Sequence, residues 1–136
     1  MANSYNPTCA ADAFKNHNDA FGAQDIDKIM LDYTEDSLIM CYTFQDGKYW
    51  TKKGLKEIRE MFTGFWEHMG TWKDITLPVG EISDDQPGSR IGFLIWQAPG
   101  NGIPQATDTF VFDDNNKIIR QTFAGGVRKE QWSPCK

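Results

Sequence analysis

Length, composition and charge already exclude several classes of protein. The chain has 136 residues, near the usual size of one domain, and its 40% apolar and 24% charged residues are an ordinary globular balance rather than a disordered one. The 14 Lys and Arg residues against 19 Asp and Glu residues give a net charge of −5, which argues against nucleic acid as a partner because such proteins normally present a basic face. No apolar run approaches the roughly 20 residues that span a bilayer, so no membrane partner is predicted.

A first helix is predicted from Thr8, which can cap it, to about Phe21, with Gly22 ending it. Apolar residues repeat along this segment at spacings of four, three and four, which is the helical period. His17 belongs to this stripe and lies between Phe14 and Phe21. The pattern therefore predicts a titratable ring embedded in the apolar face of the helix.

A short helix and a strand pair follow. Asp25 is the predicted cap of the second helix, which carries apolar residues up to Tyr33. Residues 38–44 are rich in β-forming side chains and predict a strand. Asp46-Gly47 is typical of a type I′ hairpin turn, and residues 48–51 are the predicted return strand.

The third helix is the most clearly patterned element, and four strands follow it. Apolar residues keep helical spacing from Leu55 to Met69, and Gly70 ends the helix. After Gly70 the apolar residues recur at every second position, and clusters of Asp, Asn, Pro and Gly separate the apolar runs. The predicted strands cover residues 75–79, 91–97, 105–112 and 117–127.

The order of the elements is α-α-β-β-α-β-β-β-β, which indicates an α+β fold with three helices against one face of a curved antiparallel sheet. We expect a single domain over residues 1–136, with a core at about 8–128 and a polar tail at 129–136. The three cysteines are widely spaced, which favours reduced thiols, and a link between Cys9 and Cys135 stays open. The start of the sequence has no basic and apolar leader, so a cytoplasmic protein is expected.

Common cofactor-binding and nucleophile motifs are absent from the sequence. It contains no G-x-G-x-x-G, no P-loop and no G-x-S-x-G. His17 and His68 are far apart, and neither lies at metal-ligand spacing from a Cys or a second His. The sequence therefore predicts neither a cofactor nor a metal site.

Three segments share their order and spacing with one protein superfamily. Residues 23–37 match the pattern aGDld-i-aly-aDDa, and residues 54–62 match G-x-x-x-I-R-x-x-F. Residues 108–118 are similar to D-x-F-x-F-x-x-G-K-I, with one residue more in the turn and Asn116 in place of the usual Gly. The chain thereby resembles the NTF2-like superfamily, in the branch that holds ketosteroid isomerase and the SnoaL-like polyketide cyclases. The resemblance implies a cone whose curved sheet wraps around a long helix and encloses an apolar pocket, and a homodimer formed through the outer sheet face.

The resemblance to ketosteroid isomerase can be carried over residue by residue. The isomerase uses a hydrogen-bond-donating tyrosine on the first helix, an aspartate base and a second, neutral aspartate, and these positions fall on His17, Cys41 and Asp108. The second aspartate is retained, the tyrosine is replaced by another polar group and the base is lost, so the resemblance does not imply steroid isomerisation by that mechanism. SnoaL-like cyclases, which depend on the aspartate equivalent to Asp108 with polar helpers such as histidine, are the closer match.

Asp108 and His17 are the candidate catalytic residues. Asp108 shares a predicted strand face with Phe110 and Phe112, and an apolar interior should raise the pKa of its carboxyl group until it can act as an acid or base near neutrality. The alternative is a structural aspartate bound by backbone amides or by Arg120. His17 would pair with Asp108 across the pocket and exchange protons there, and its alternative is a core histidine with satisfied hydrogen bonds.

The other candidates are residues expected to line the pocket. Cys41 is expected to behave as a small hydrophobe, because a nucleophilic thiolate would need a cationic neighbour. Tryptophan rings offer flat surfaces on which a ligand can stack, although Trp72 and Trp132 could equally cover a dimer interface. The predicted ligand-binding residues are Cys41, Trp50, Trp66, Trp96, Phe110, Gln121 and Phe123.

Three functions are compatible with these residues. The first is a cofactor-independent acid–base isomerase, cyclase or dehydratase that acts on a small apolar carbonyl or ring compound, with Asp108 as the acid or base. The second is a non-catalytic ligand-binding module of the same fold. The third is a protein-interaction or dimerisation module, in which large side chains fill the cone and the outer sheet face is exposed and apolar. The space beside Asp108 distinguishes the third from the first two.

Overall fold

Three helices and six strands make up the part of the chain that the computed structural model describes, residues 5–84 and 90–127. Their order along the chain is the predicted one. The predicted polar tail, with Trp132 and Cys135, lies outside the described residues, as does most of the predicted turn at 84–88. The helices are α1 (Ala10–Ala23), α2 (Ile26–Met30) and α3 (Gly54–Met69), the strands are β1 (Tyr33–Thr43), β2 (Lys48–Lys53), β3 (Thr76–Ser83), β4 (Ile91–Ala98), β5 (Ile103–Phe112) and β6 (Ile118–Gly126), and a short 3₁₀ helix (Pro99–Asn101) precedes β5.

The strands form one sheet in the order β2-β1-β6-β5-β4-β3. Four neighbouring pairs are antiparallel, but β1 and β6 run parallel, so the prediction of a wholly antiparallel sheet is corrected at this pair. The reason lies in the connection. Because β2, α3 and three further strands separate β1 from β6 along the chain, no hairpin turn sets their relative direction.

The helices cover one face of the sheet, and that face carries the buried side chains. Every second residue of β4, and of β5 from Ala106 onward, is buried, including Leu94 and Trp96 on β4 and Asp108 and Phe110 on β5. The alternation follows from the pleat, which points successive side chains to opposite faces. The buried stripe of α3 packs against this inner face and consists of Gly54, Ile58, Phe62, Phe65, Trp66 and Met69.

The ends of the first two helices correct one prediction and confirm another. Thr8 does not cap α1, which begins after Cys9, and instead its backbone N–H and hydroxyl both donate to the Asp12 carboxylate at 3.0 Å. The helix also continues past Gly22 and ends at Gln24, which takes a left-handed φ of 53°. The predicted cap of α2 is confirmed, because the Asp25 carboxylate accepts from the Lys28 backbone N–H at 3.1 Å.

The strand pair β1–β2 differs from the prediction at both ends of β1. The strand begins at Tyr33 rather than at Leu38, because Tyr33 already pairs with Ile118 of β6. A register irregularity between Tyr33 and Leu38 breaks the alternation of apolar and polar residues that would have predicted this earlier start. The hairpin loop has four residues, 44–47, since Thr43 pairs with Lys48. A type I′ turn needs positive φ at both central residues, and only Gly47 has it, so that prediction is wrong.

Gly54 and Gly64 lie on the same helix in opposite backbone environments. Gly54 begins α3 with a φ of +83°, which side chains disfavour, whereas a Cβ on Gly64 would meet no atom within 4 Å. We expect Gly64→Ala to raise the free energy of unfolding by about 0.5–1 kcal/mol and Gly54→Ala to lower it by about 1 kcal/mol or more. Urea unfolding followed by tryptophan fluorescence measures both changes. If both substitutions raised, or both lowered, the free energy of unfolding, the backbone conformations described for Gly54 and Gly64 would be wrong.

Candidate functional site

A cavity lies between α1, α3 and the inner face of the sheet. Its empty space is about 480 Å³ when the mouth is included, and the centres of water-sized spheres can occupy about 40 Å³ of it. The cone is therefore not filled by its own side chains, and the enclosed part holds a few water molecules at most. The lining residues are His17, Phe21, Ile39, Cys41, Trp50, Met61, Phe62, Phe65, Leu94, Trp96, Asp108, Gln121 and Phe123.

Most of the predicted site residues line this cavity, and two do not. Phe110 is fully buried beneath it, with its ring centroid 4.8 Å from His17 and 5.4 Å from Phe14. Trp66 is buried beside Phe62, with 5.5 Å between the ring centroids, and does not reach the cavity either. Phe110 is core because α1 packs directly over its strand, and Trp66 is core because it packs on its neighbours within the helical layer. Their contact with a ligand stays a prediction.

The Asp108 carboxyl is held by two side-chain N–H groups. Trp96 Nε1 donates to Oδ1 at 2.9 Å and Gln121 Nε2 donates to Oδ2 at 2.9 Å. Burial raises the pKa of Asp108 to about 6, and these two hydrogen bonds oppose the rise because they favour the ionised form. Neither alternative partner binds it: among the described residues no backbone amide donates to this carboxyl, and Arg120 donates to the Asp36 and Ile119 carbonyls.

The expected hydrogen bond between His17 and Asp108 is absent, and the side chains of Gln121 and Tyr33 lie between them. The Tyr33 hydroxyl donates to Gln121 Oε1, on the same amide group that donates to Asp108. The Tyr33 oxygen lies 3.5 Å from His17 Nδ1, which is a long hydrogen bond. Burial lowers the pKa of His17 to about 3, so its ring is neutral at physiological pH.

Sequence reasoning missed Tyr33 and several apolar wall residues. Tyr33 stands before four polar or acidic residues, so its segment lacks the alternation that marks a strand. The wall residues on α3 did show a signal, the helical repeat, but that repeat does not separate core positions from cavity positions. The missed lining residues are Phe21, Ile39, Met61, Phe62, Phe65 and Leu94.

The fold is shared with solved structures whose sequences differ widely from this one. An NTF-2 like protein of unknown function from Burkholderia xenovorans is 17% identical, with a TM-score of 0.61 over 92% of this chain and 87% of its own. A ketosteroid isomerase-like protein from Erwinia carotovora atroseptica is 16% identical, with a TM-score of 0.57 over 85% and 92%. A putative SnoaL-like polyketide cyclase from Shewanella denitrificans is 13% identical, with a TM-score of 0.58 over 88% and 91%.

These comparisons confirm the resemblance to the NTF2-like superfamily at the level of the fold. No protein-family model matches the sequence, and no curated protein sequence matches it. The α+β cone is therefore established by the structure and its neighbours. At identities of 13–17%, the shared fold does not assign a reaction or a ligand to this chain.

Two features are lacking from residues 5–84 and 90–127. No helix there is long and apolar enough to cross a membrane. No group of three or more His, Cys, Asp or Glu side chains is placed there to hold a metal ion.

Buried Asp108 gives stability a pH dependence whose sign can be stated. Its pKa is about 6 in the folded chain and 3.8 without the fold, so the folded state keeps a proton that the unfolded state loses as pH rises from 4 to 6. This carboxyl therefore destabilises the fold progressively as pH rises from about 4 to about 6, by about 2–3 kcal/mol in all, and no further above that. Asp108→Asn cannot ionise, so we expect its free energy of unfolding, relative to the unsubstituted protein, to increase by that amount between pH 4 and pH 8.

Urea unfolding at the two pH values measures this difference. Asp114→Asn is the matched control, because the Asp114 side chain is 99% exposed and its ion pair with Arg90, at 3.5 Å, is a surface contact of small energy. The control should differ from the unsubstituted protein equally at both pH values. An Asp108→Asn difference that is also independent of pH would show that this carboxyl has an ordinary pKa.

Proposed function

We propose that the cavity is the active site of a cofactor-independent acid–base catalyst, an isomerase, cyclase or dehydratase acting on a small, largely apolar carbonyl or ring compound. The observation that carries the proposal is the Asp108 carboxyl, which lies in the wall of a largely apolar cavity with its pKa raised to about 6. A general base works best when its pKa lies near the operating pH. Asp108 is thus the proposed catalytic residue, and His17, which lines the same cavity without bonding to Asp108, is the proposed second polar contact for the ligand.

The walls suit a flat apolar ligand. Trp50, Trp96 and Phe123 face the cavity from three strands, and Phe21 and Phe62 face it from the helices. Aromatic walls supply contact area and exclude water, which strengthens any electrostatic interaction with the carboxyl. The enclosed part of the cavity, about 40 Å³, is far smaller than the roughly 300–1,000 Å³ that is usual for small-molecule sites, so a ligand would be small or would lie partly in the open mouth.

Cys41 is proposed as a wall residue rather than a nucleophile. It occupies the position at which the resemblance places the aspartate base of ketosteroid isomerase, so that base is not available here. A thiolate would need a cation beside it, and burial keeps His17 neutral. The proposed chemistry therefore depends on Asp108. The SnoaL-like and ketosteroid isomerase-like neighbours support this proposal through the shared fold only.

Proton abstraction can be tested without knowing the natural substrate. The probes are cyclic ketones and enones, offered one at a time in D₂O, and the readout is deuterium incorporation beside the carbonyl, followed by proton NMR. We expect exchange of at least one probe above the buffer rate, and a loss of about 10²-fold or more in Asp108→Asn, because a positioned general base typically contributes that much.

Asp32→Asn is the matched control for this experiment. Asp32 is the other carboxyl of the described chain that is buried with a pKa raised to about 6, and it does not line the cavity. Exchange should survive its substitution. Probes that bind but do not exchange would instead favour the non-catalytic ligand-binding module, and exchange that persists in Asp108→Asn would overturn the proposed base.

A homodimer through the outer sheet face is a second proposal, favoured by the composition of that face. Met40 and Tyr42 on β1, Tyr49 on β2 and Ile91 and Phe93 on β4 are all at least 40% exposed. Residues of β5 and β6 join them into one surface, since Thr109 pairs with both Phe93 and Thr122. Among the outward positions at 38–42, 91–95, 107–111 and 120–124, Arg120 alone is charged.

Analytical ultracentrifugation tests the dimer. We expect the unsubstituted protein to sediment as a dimer and Phe93→Lys to weaken association at least tenfold, because an unpaired charge would be buried at the contact. Leu55→Lys is the control, since Leu55 is exposed on α3 rather than on the sheet. A monomeric unsubstituted protein, or equal effects of the two lysines, would contradict this interface.

A further inference from the structure

The hydrogen-bonded chain beside the cavity ends at a group that can only donate. Trp96 Nε1–H donates to Asp108 Oδ1, and an indole nitrogen has no acceptor role. The next three members, Gln121, Tyr33 and His17, can each donate and accept. The protonation state of Asp108 therefore determines the direction of the other hydrogen bonds in the chain.

An ionised Asp108 leaves one arrangement for the chain. A carboxylate accepts only, so Gln121 must present Nε2–H to Oδ2, as it does at 2.9 Å. The amide oxygen then faces Tyr33 and accepts from its hydroxyl. Since the Tyr33 hydrogen is used in that bond, the His17 hydrogen bond at 3.5 Å requires Nδ1 to carry the proton and donate.

We propose that Tyr33 and Gln121 are positioning residues that hold His17 in the Nδ1–H tautomer while Asp108 is ionised, so that its Nε2 lone pair serves as a hydrogen-bond acceptor for a ligand. His17 lines the cavity, and Nε2 has no hydrogen-bond partner among residues 5–84 and 90–127. The role toward a ligand rests on the proposed function, whereas the tautomer itself does not.

The tautomer of His17 decides whether its Nε2 accepts a hydrogen bond from a ligand or donates one to it. With Asp108 ionised, the carboxylate and His17 Nε2 are both acceptors, and together they favour a ligand that brings an O–H or N–H donor. When Asp108 becomes neutral and donates, the chain reverses: Gln121 turns its nitrogen to Tyr33, the Tyr33 hydroxyl donates to Nδ1, and His17 carries its proton on Nε2. In that state His17 can donate to a carbonyl oxygen.

Asp108→Asn forces this reversal without any change of pH. The oxygen of the new carboxamide must face Trp96 Nε1–H, because the carboxamide nitrogen in that place would set one N–H donor against another. The carboxamide nitrogen then faces Gln121, which must answer with its oxygen, and the remaining bonds follow in the reversed direction. The substitution is therefore expected to move the His17 proton, although it lies three hydrogen bonds away.

Imidazole ¹H–¹⁵N correlation spectra at pH 8 distinguish the two tautomers. The chain has two histidines, so a His68→Gln background leaves the His17 signals alone. We expect Nδ1–H as the major tautomer before further substitution, Nε2–H after Asp108→Asn, and no change after Asp32→Asn. A starting Nε2–H tautomer, or one that Asp108→Asn does not move, would overturn the proposal.

Tyr33→Phe provides the second variant. It keeps the ring and removes the oxygen that joins His17 to Gln121, so we expect the preference for Nδ1–H to be lost and Asp108→Asn to have no further effect on the tautomer. An unchanged Nδ1–H tautomer in Tyr33→Phe also overturns the proposal, and this variant decides if Asp108→Asn does not fold. Because these spectra need no substrate, their outcome is independent of the deuterium-exchange result that tests the proposed function.

Discussion

The structure depends on one constraint: a carboxyl group inside an apolar cone must have hydrogen-bond donors. Leaving a buried polar group unpaired costs free energy comparable to a lost hydrogen bond, and an unpaired charge costs far more. Asp108 meets this constraint with one donor from each neighbouring strand, Trp96 on β4 and Gln121 on β6. Their positions follow from the sheet, because β5 lies between β4 and β6 and the three side chains share its inner face.

The chain buries a second carboxyl, and the contrast shows what is specific to the first. Asp32 is fully buried at the start of β1, where it accepts from the Tyr5 hydroxyl at 2.5 Å and from Asn16 Nδ2 at 2.8 Å. Burial raises its pKa to about 6, while these two hydrogen bonds and the charge of Lys117 oppose the rise. Asp32 thus joins the segment before α1 to α1 itself, and it does not line the cavity. A raised pKa therefore does not distinguish the two carboxyls, whereas the cavity beside Asp108 does.

The sequence predicted correctly those features that depend only on residues close together along the chain. The helical repeat of α3, the Asp25 cap and the strand bearing Asp108 are all local features, and the structure has them as predicted. Tyr33 was missed because β1 begins by pairing with a strand that follows it by about 85 residues, through a register irregularity that no local alternation reveals. For Phe110 the sequence could not separate a cavity wall from a packed core, because both positions are buried on the inner face and only the helix that lies over the strand distinguishes them.

The placement of His17 follows from how the cone closes at one end. At Gly92 a Cβ would approach the Phe14 ring to 3.1 Å, so the absent side chain lets α1 pack closely on β4, where Phe14 also meets Phe110. Further along α1, Phe21 lines the cavity instead. His17 lies between these two, with its ring packed on Phe110 and also facing the cavity. The polar chain thus runs along the boundary between packed core and open space, where a buried group can be both held in place and reached by a ligand.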